Sequence, residues 1–126
     1  VHPEKKILAV CGDGGFMMNC QEFETALRAK TPFVTLVFND SSYGLIKWKQ
    51  MDQYGKSCCV DFTNSDFVKF AESMGAIGYR ITKAEDLVPT LKKAFEQNVP
   101  VIIDCPVDYA ENTKLTAHLK ELMEKL

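Results

Sequence analysis

Two aspartates lie in turns that end apolar segments, and the residues around them suit the binding of phosphate through a divalent cation. Asp13 stands within the segment Gly-Asp-Gly-Gly at positions 12–15, where glycine allows a ligand to approach the backbone closely. The N–H groups that open a following helix carry partial positive charge and attract phosphate oxygens. A carboxylate in the same place would repel phosphate unless a cation lay between them. Asp40, 27 residues further along in Asn-Asp-Ser-Ser, offers a second carboxylate for such a cation.

Magnesium is the cation that this pair of turns predicts. It takes oxygen ligands at about 2.0–2.1 Å in a near-octahedral shell, commonly one or two carboxylates with phosphate and water. Asp13 and Asp40, with the backbone carbonyl of Ser42, would provide the protein part of that shell. Each turn alone is typical of ordinary loop chemistry. Their order along the chain, each after a predicted strand, favours a shared, magnesium-bridged phosphate site.

The hydrophobic pattern supplies the elements that would position both turns. Short apolar runs rich in β-branched and aromatic residues predict strands, and apolar positions at helical spacing predict helices between them. The alternation is typical of a single α/β domain whose parallel sheet carries helices on both faces. Ligands in such sheets bind at the carboxyl ends of the strands, where Asp13 and Asp40 are both expected. The predicted strands cover residues 5–11, 33–38, 77–81 and 100–105, and the predicted helices cover 16–30, 43–52, 64–74, 82–97 and 113–126.

Capping residues define several of the predicted boundaries. Asn64 or Ser65 is expected to cap the third helix, and Gly75 is expected to end it. Thr82 with Glu85 fits a capping box at the start of the fourth helix.

Length and composition restrict the function classes. The chain has 126 residues and a formal net charge of −2, which fits one domain and argues against nucleic acid or an anionic membrane as the main partner. No apolar run approaches the roughly 18 residues that a membrane helix needs. The five cysteines form no C-x-x-C pair, which favours a reducing cytoplasm. Cys58 and Cys59, adjacent in a predicted loop over 53–63, are either a reactive pair or ordinary free thiols.

Other phosphate-binding and catalytic motifs are incomplete in this sequence. A dinucleotide-binding G-x-G-x-x-G beginning at Gly12 would need glycine where Met17 stands. A Walker A loop ending at residues 55–57 would need an upstream glycine where Gln50 stands. The chain also lacks a G-x-S-x-G nucleophile turn, and neither histidine has a partner at metal-ligand spacing. An unrelated nucleotide-binding domain is therefore disfavoured.

Longer stretches of the sequence resemble the enzymes that use thiamine diphosphate. The segments are Gly-Asp-Gly-Gly-Phe-Met-Met-Asn from Gly12, Glu-Thr-Ala-Leu-Arg-Ala-Lys-Thr-Pro from Glu24, and Phe-Asn-Asp-Ser-Ser-Tyr-Gly-Leu-Ile from Phe38. They are similar to the acetolactate synthase group, most of all to its catabolic, acetoin-forming branch, and the resemblance extends to about Asn112. It implies that residues 1–126 form a thiamine diphosphate-binding (PP) domain at the carboxyl end of a three-domain chain. The PP-domain fold is expected to be incomplete at its amino-terminal side.

The resemblance also implies roles for individual residues. Asp13, Asp40 and the Ser42 carbonyl would hold Mg²⁺, and Trp48 and Lys49 would lie near the substrate. Lys49 could pair with a 2-oxo acid carboxylate or point to solvent, and the solvent orientation is favoured. The second metal residue is asparagine in many family members, so the extra charge of Asp40 should strengthen magnesium binding. No catalytic residue is expected in this chain, because the activating glutamate belongs to an amino-terminal domain of a partner subunit. The implied cofactor-binding residues are Gly12, Asp13, Gly14, Gly15, Asp40, Ser42, Tyr43, Gly44, Leu45 and Ile46.

The implied reaction is decarboxylation of pyruvate and condensation of the enamine intermediate with a second 2-oxo acid, giving acetolactate and CO2 for acetoin or branched-chain amino acid biosynthesis. The implied cofactors are thiamine diphosphate and Mg²⁺, with FAD a further option in the parent enzyme. The partners would be the amino-terminal and middle domains of the parent chain, assembled as a homodimer or homotetramer, and the fragment alone would be inactive. A pyruvate oxidase, a 2-oxo acid decarboxylase and a non-catalytic assembly module remain open as alternatives, as does the choice between pyruvate and 2-oxobutyrate as acceptor.

Overall fold

Four strands and five α-helices alternate along the chain in the structure, a computed structural model that describes residues 2, 4–109 and 112. The helix predicted over 113–126 lies outside the described residues. The strands are β1 (Leu8–Gly12), β2 (Val34–Asn39), β3 (Ile77–Arg80) and β4 (Val101–Pro106). The helices are α1 (Asp13–Met18), α2 (Glu22–Arg28), α3 (Gly44–Tyr54), α4 (Phe67–Met74) and α5 (Leu87–Phe95), with a 3₁₀ turn at Ala84–Asp86 before α5.

The four strands form one sheet in the order β1-β2-β4-β3, and every neighbouring pair is parallel. β1 and β2 are adjacent, with Gly12 opposite Phe38 in the register. The chain leaves both strands at the same edge of the sheet, so the turns that carry Asp13 and Asp40 start side by side. The parallel α/β fold predicted from the sequence is confirmed, and the two acidic turns follow neighbouring strands.

Helices cover both faces of the sheet, as predicted. β2 and β4 are buried on both faces, which explains why their sequences read as continuous apolar runs. One face carries α1, α2 and α4, and its buried core comprises Phe16, Phe23, Val37, Phe67, Ala71, Ala76 and Ile102. The opposite face carries α5, and its buried core comprises Val34, Leu36, Ile81, Ala94, Val101, Ile103 and Cys105.

The single helix predicted over residues 16–30 is wrong, because a turn at positions 19–21 divides it into α1 and α2. Asn19 ends α1, and its N–H donates to the carbonyl of Phe16. The rings of Phe16 and Phe23 pack edge-to-face with centroids 5.8 Å apart, and both enter the core on one face of the sheet. The turn at positions 19–21 therefore keeps both phenylalanines buried although it interrupts the helix.

The caps of α4 and α5 also differ from the predictions. Asp66 caps α4, where Asn64 or Ser65 was expected, because its carboxylate accepts the N–H groups of residues 68 and 69. Gly75 ends α4 in the left-handed conformation at φ 87°, as predicted. The capping box of Thr82 with Glu85 does not form, since the 3₁₀ turn begins there and no side chain caps it.

α3 and the edge strand β1 leave apolar side chains in solvent. α3 is a full 11-residue helix, longer than the short, poorly defined one predicted over 43–52, yet it buries no residue. On β1, Leu8 and Val10 face outward with 40% and 54% of their surface exposed. None of the described helices combines the length and apolar character required of a membrane-spanning segment.

Candidate functional site

A cavity of about 620 Å³ opens at the carboxyl ends of β1 and β2. The two turns that follow these strands and the first turns of α3 form most of its wall. It is lined by Gly12, Asp13, Gly14, Gly15, Met18, Phe38, Asp40, Ser42, Tyr43, Gly44, Leu45, Ile46, Trp48, Tyr109 and Asn112. The structure thus brings together all ten residues predicted to bind the cofactor, and their role there remains a prediction.

Asp13 is the buried centre of this arrangement, with 2% of its surface exposed. The N–H of Gly14 donates to its Oδ1 at 2.8 Å. The N–H of Ser41 and the side-chain amide of Asn64 donate to its Oδ2 at 2.8 and 2.6 Å. A carboxylate offers about four acceptor positions, so three donors fix its orientation and leave acceptor capacity on Oδ1. Asp13 is therefore held in place and still able to bind a cation.

The turn after β2 is strained in a way that Asp13 stabilises. Ser41 has φ 55°, a left-handed conformation that non-glycine residues rarely adopt. Its N–H is shared between Asp13 and the side-chain oxygen of Asn39, at 2.8 and 3.3 Å. These bonds offset part of the cost of the conformation, which is of order 1–3 kcal/mol. The turn after β2 consequently depends on the carboxylate after β1.

Asp40 lies on the exposed side of Asp13 and has fewer donors. The N–H of Ser42 donates to its Oδ1 at 3.2 Å. Burial raises the pKa of the Asp40 carboxyl above its ordinary value, and the negative charge of Asp13 raises it further. The two carboxylates therefore repel each other, and a divalent cation between them would remove that repulsion.

At two glycines of the site, an added Cβ would come too close to a neighbouring side chain. A Cβ on Gly14 would lie 2.9 Å from the ring of Tyr43, and a Cβ on Gly44 would lie 2.8 Å from Oδ2 of Asp40. By contrast, a Cβ on Gly15 would meet nothing within 4 Å. Gly14 and Gly44 thus allow Tyr43 and Asp40 to take their positions, whereas the backbone at Gly15 is open to a ligand.

A short segment at positions 60–62 packs against the turn that follows β2. It runs antiparallel to residues 41–43, with a bridge between Ser42 and Asp61. The N–H of Tyr43 donates to the carbonyl of Val60 at 2.9 Å, and the N–H of Phe62 donates to the carbonyl of Ser41 at 3.0 Å. The rings of Tyr43 and Phe62 pack with centroids 4.8 Å apart. The loop between α3 and α4 therefore helps to define the cavity wall.

A hydrogen-bonded network behind the cavity connects the turn to α4. The side-chain amide of Asn39 donates to Oδ1 of Asp104, and Nε of Arg80 donates to Oδ2 of the same carboxylate, both at 2.9 Å. Arg80 also donates to Asp66 at 3.1 Å. The N–H of Lys69, followed by the charge of Arg80, holds the pKa of Asp66 below its ordinary value. Asp104 is buried, so this network pairs a buried charge and fixes the turn to the sheet.

Sequence reasoning missed several residues that build the site. Asn64 was considered as a helix cap, but its amide donates to Asp13 and Asn39 at 2.6 and 2.9 Å. Tyr109 also lines the cavity, and burial followed by the charges of Asp40 and Asp13 raises the pKa of its hydroxyl. No local pattern marks these residues, because their roles arise from interactions with Asp13 or Asp40 that span 51 or more positions.

The two residues predicted to lie near the substrate differ in their position relative to the cavity. Trp48 lines the cavity and is half-buried, whereas Lys49 is exposed and lies outside its lining. Within the part of the chain that the structure describes, no group of three or more histidine, cysteine, aspartate or glutamate side chains could hold a metal ion. A cation at Asp13 and Asp40 would therefore need backbone, phosphate or water oxygens as well, which suits magnesium.

Comparison of the sequence with known proteins identifies the family of this chain. The family described as "Thiamine pyrophosphate enzyme, C-terminal TPP binding domain" matches residues 1–105, most of the chain. The chain belongs to the thiamine pyrophosphate enzymes. Thiamine pyrophosphate is another name for thiamine diphosphate, so the family resemblance read from the sequence is confirmed.

Individual thiamine pyrophosphate enzymes are similar over nearly the whole chain. The acetolactate synthase of Bacillus subtilis (strain 168) is 44% identical over 117 residues, covering 93% of this chain and 20% of that protein. The catabolic acetolactate synthase of Raoultella terrigena is 34% identical over 125 residues, covering 98% of this chain and 22% of that protein. The chain thus spans about a fifth of the length of these relatives.

A solved structure of a thiamine pyrophosphate enzyme shares the fold. The thiamine diphosphate-dependent 4-hydroxybenzoylformate decarboxylase of Rhodococcus jostii RHA1 superposes with a TM-score of 0.79 at 25% identity. The superposition covers 86% of this chain and 21% of the decarboxylase chain. The chain is therefore a thiamine pyrophosphate-binding domain of the kind found in acetolactate synthase-like enzymes.

Proposed function

We propose that this chain binds Mg²⁺ and the diphosphate of thiamine diphosphate within an acetolactate synthase. The parent enzyme would decarboxylate pyruvate and join the product to a second 2-oxo acid, releasing acetolactate and CO2. The observation that carries the proposal is the placement of Asp13 and Asp40 after adjacent parallel strands, on the wall of one cavity. Ligands of parallel α/β sheets bind at this edge.

The residues present fit the proposed group in three respects. The carboxylate of Asp13 is oriented by three donors and keeps acceptor capacity. The raised pKa of Asp40 reflects burial and a repulsion that a cation would relieve. The backbone at Gly15 is open, so a phosphate oxygen can approach it. Mg²⁺ would then be held by Asp13, Asp40 and the carbonyl of Ser42.

The protein's share of the chemistry is binding, orientation and exclusion of water. When bound, thiamine diphosphate would supply the electron sink that decarboxylation of a 2-oxo acid requires. Asp13 and Asp40 would fix the diphosphate end through the metal, and the open backbone at Gly15 would face it. Leu45 and Ile46 on the first turn of α3 would provide an apolar wall that keeps water from the reactive part.

Several features of the parent enzyme belong to the same proposal. The activating glutamate, the middle domain and a homodimeric or homotetrameric assembly would be supplied outside this chain. A reducing, cytoplasmic compartment is consistent with five cysteines that include no C-x-x-C pair. On this view the chain alone is inactive.

The test is a cofactor-dependence assay on the full-length protein that carries this chain. Pyruvate consumption and acetolactate formation should require both thiamine diphosphate and Mg²⁺. Asp13→Ala and Asp40→Ala should each weaken retention of thiamine diphosphate in equilibrium dialysis, while Glu96→Ala, an exposed carboxylate that ends α5, should not. Unchanged retention in both aspartate variants would refute the metal assignment. Formation of acetaldehyde in place of acetolactate would reassign the protein to the 2-oxo acid decarboxylases.

A further inference from the structure

Two adjacent thiols lie together on the loop that follows α3. The Sγ atoms of Cys58 and Cys59 are 3.2 Å apart, and both residues are exposed to solvent. Cys59 has a left-handed backbone at φ 57°, and the N–H of Cys58 donates to Oε1 of Gln50 on α3 at 2.9 Å. The loop thus holds two accessible sulfurs in contact with each other and tied to α3.

The other thiols of the chain have a different environment. Burial raises the pKa of Cys11 and Cys105, with smaller contributions from the neighbouring Asp13 and Asp104. The pKa of Cys58 is also raised, but the first cause is its hydrogen bond with Cys59. Cys105 is buried and Cys11 is partly buried, so both are less accessible to reagents in solution, whereas the thiols of the pair are exposed and affect each other.

We propose that Cys58 and Cys59 form a reversible oxidation site, at which a low-molecular-weight disulfide converts the two thiols into one intramolecular disulfide. One of the two thiolates attacks a sulfur of the reagent, whose S–S bond breaks and releases the first thiolate. The neighbouring thiol loses its proton to solvent, attacks the mixed disulfide and expels the second thiolate. Two protein thiols are oxidised and one reagent disulfide is reduced to two thiols.

The short spacing explains why the bond would be reversible. Closure requires the sulfurs to move from 3.2 Å to the bond length of about 2.05 Å. Cα atoms of adjacent residues are about 3.8 Å apart across a trans peptide, shorter than the roughly 4.4–6.8 Å usual between bridged cysteines. Such strained, exposed disulfides are easily reduced. In a reducing compartment the pair would rest as thiols and close only under oxidation.

Formation of the disulfide between Cys58 and Cys59 would affect the cavity through the segment that follows Cys59. Residues 60–62 begin directly after Cys59, and the carbonyl of Val60 accepts the N–H of Tyr43 at 2.9 Å. Because closure changes the backbone at Cys59, it shifts the carbonyl that anchors Tyr43. The oxidation site is therefore coupled to the turn after β2, whatever ligand that turn binds.

The experiment treats the reduced full-length protein with oxidised glutathione and maps its thiols by alkylation and mass spectrometry. The peptide with Cys58 and Cys59 should lose two hydrogen atoms and both alkylation sites, and dithiothreitol should restore them. When the protein is denatured before alkylation, Cys11 and Cys105 should still be alkylated after the glutathione treatment, because neither thiol has been oxidised. In Cys58→Ser and Cys59→Ser the remaining thiol should stop at a mixed disulfide with glutathione. Wild-type protein that stops at that mixed disulfide, or does not react, would overturn the proposal.

Hydrogen exchange tests the coupling to the cavity. Exchange of the Tyr43 amide should become roughly fivefold to tenfold faster in the oxidised protein, the change expected when one backbone hydrogen bond is weakened. The Cys58→Ser variant serves as the matched control and should show no acceleration under the same treatment. An unchanged rate in the oxidised wild type would overturn the link between the thiol pair and the turn.

Discussion

α3 and α4 flank the same loop but are stabilised in different ways. α4 has 8 residues, buries Phe67 and Ala71 completely, and is capped by Asp66 at one end and Gly75 at the other. α3 has 11 residues and also ends at a left-handed glycine, Gly55, but no side chain caps its start and none of its residues is buried. Helices shorter than about 12–15 residues are marginal in water without tertiary packing. Among the described residues, the shorter helix is thus stabilised by tertiary packing and the longer one is not.

The two carboxylates of the site also differ in how far other side chains of this chain support them. Asp13 lies on the inner side, with the network of Asn64, Asn39 and Asp104 behind it. Asp40 lies on the outer side, next to α3, where Leu45 is 66% exposed. The side chains of the inner side hydrogen-bond to one another within this chain. The outer side presents apolar surface of the kind that a partner domain or a ligand covers.

The largest expected effect tests the support of α4. Phe67→Ala should lower the free energy of unfolding of the chain by about 3–5 kcal/mol, because it leaves a cavity among packed aromatic rings. Phe67 is fully buried and meets Phe16 edge-to-face at 5.3 Å. Leu45→Ala on α3 is the matched control and should change the free energy by less than about 0.5 kcal/mol. Urea unfolding followed by circular dichroism measures both. Equal losses would contradict the comparison of the two helices.

A smaller effect tests the network on the inner side. Arg80→Met should cost about 1–3 kcal/mol, since it leaves the buried Oδ2 of Asp104 without its donor. Arg28→Met removes an exposed pair with Glu24 at 3.0 Å and should cost no more than about 0.5 kcal/mol. Thermal unfolding of the two variants provides the measurement. A cost for Arg80→Met as small as that expected for Arg28→Met would show that Asp104 does not depend on its partner.

The sequence predicted some features of the fold and the site and missed others. The strands and both acidic turns followed from local patterns, since apolar runs and glycine-rich turns act within a few residues. The division of α1 from α2 did not, because the apolar spacing over positions 16–30 also suits one continuous helix. The role of Asn64 at the site was also not predictable from local sequence, because its hydrogen bond to Asp13 spans 51 positions. Local chemistry therefore predicted the two acidic turns, the family resemblance added positions 43–46 to the expected site, and long-range contacts determine how these residues are held.

The smallest expected effect on stability concerns Asp40 and has opposite signs with and without magnesium. The folded pKa of Asp40 lies above the ordinary value of 3.8, so the folded chain binds more protons than the unfolded chain just above pH 3.8. Stability contributed by this group is therefore lost as pH rises through the folded pKa. Asp40→Asn should remove that loss, leaving the metal-free variant at least as stable as the wild type at neutral pH.

With thiamine diphosphate and Mg²⁺ present the order should reverse. The charge of Asp40 then contributes to cation binding, and a ligand that binds only the folded state stabilises it in proportion to affinity. The ligands should therefore raise the melting temperature of the full-length wild type more than that of Asp40→Asn. Glu72→Gln, an exposed carboxylate on α4, should change neither value. If Asp40→Asn lowers stability without metal and leaves the ligand-induced shift unchanged, Asp40 is a structural turn residue and the outer side of the site contains no metal ligand.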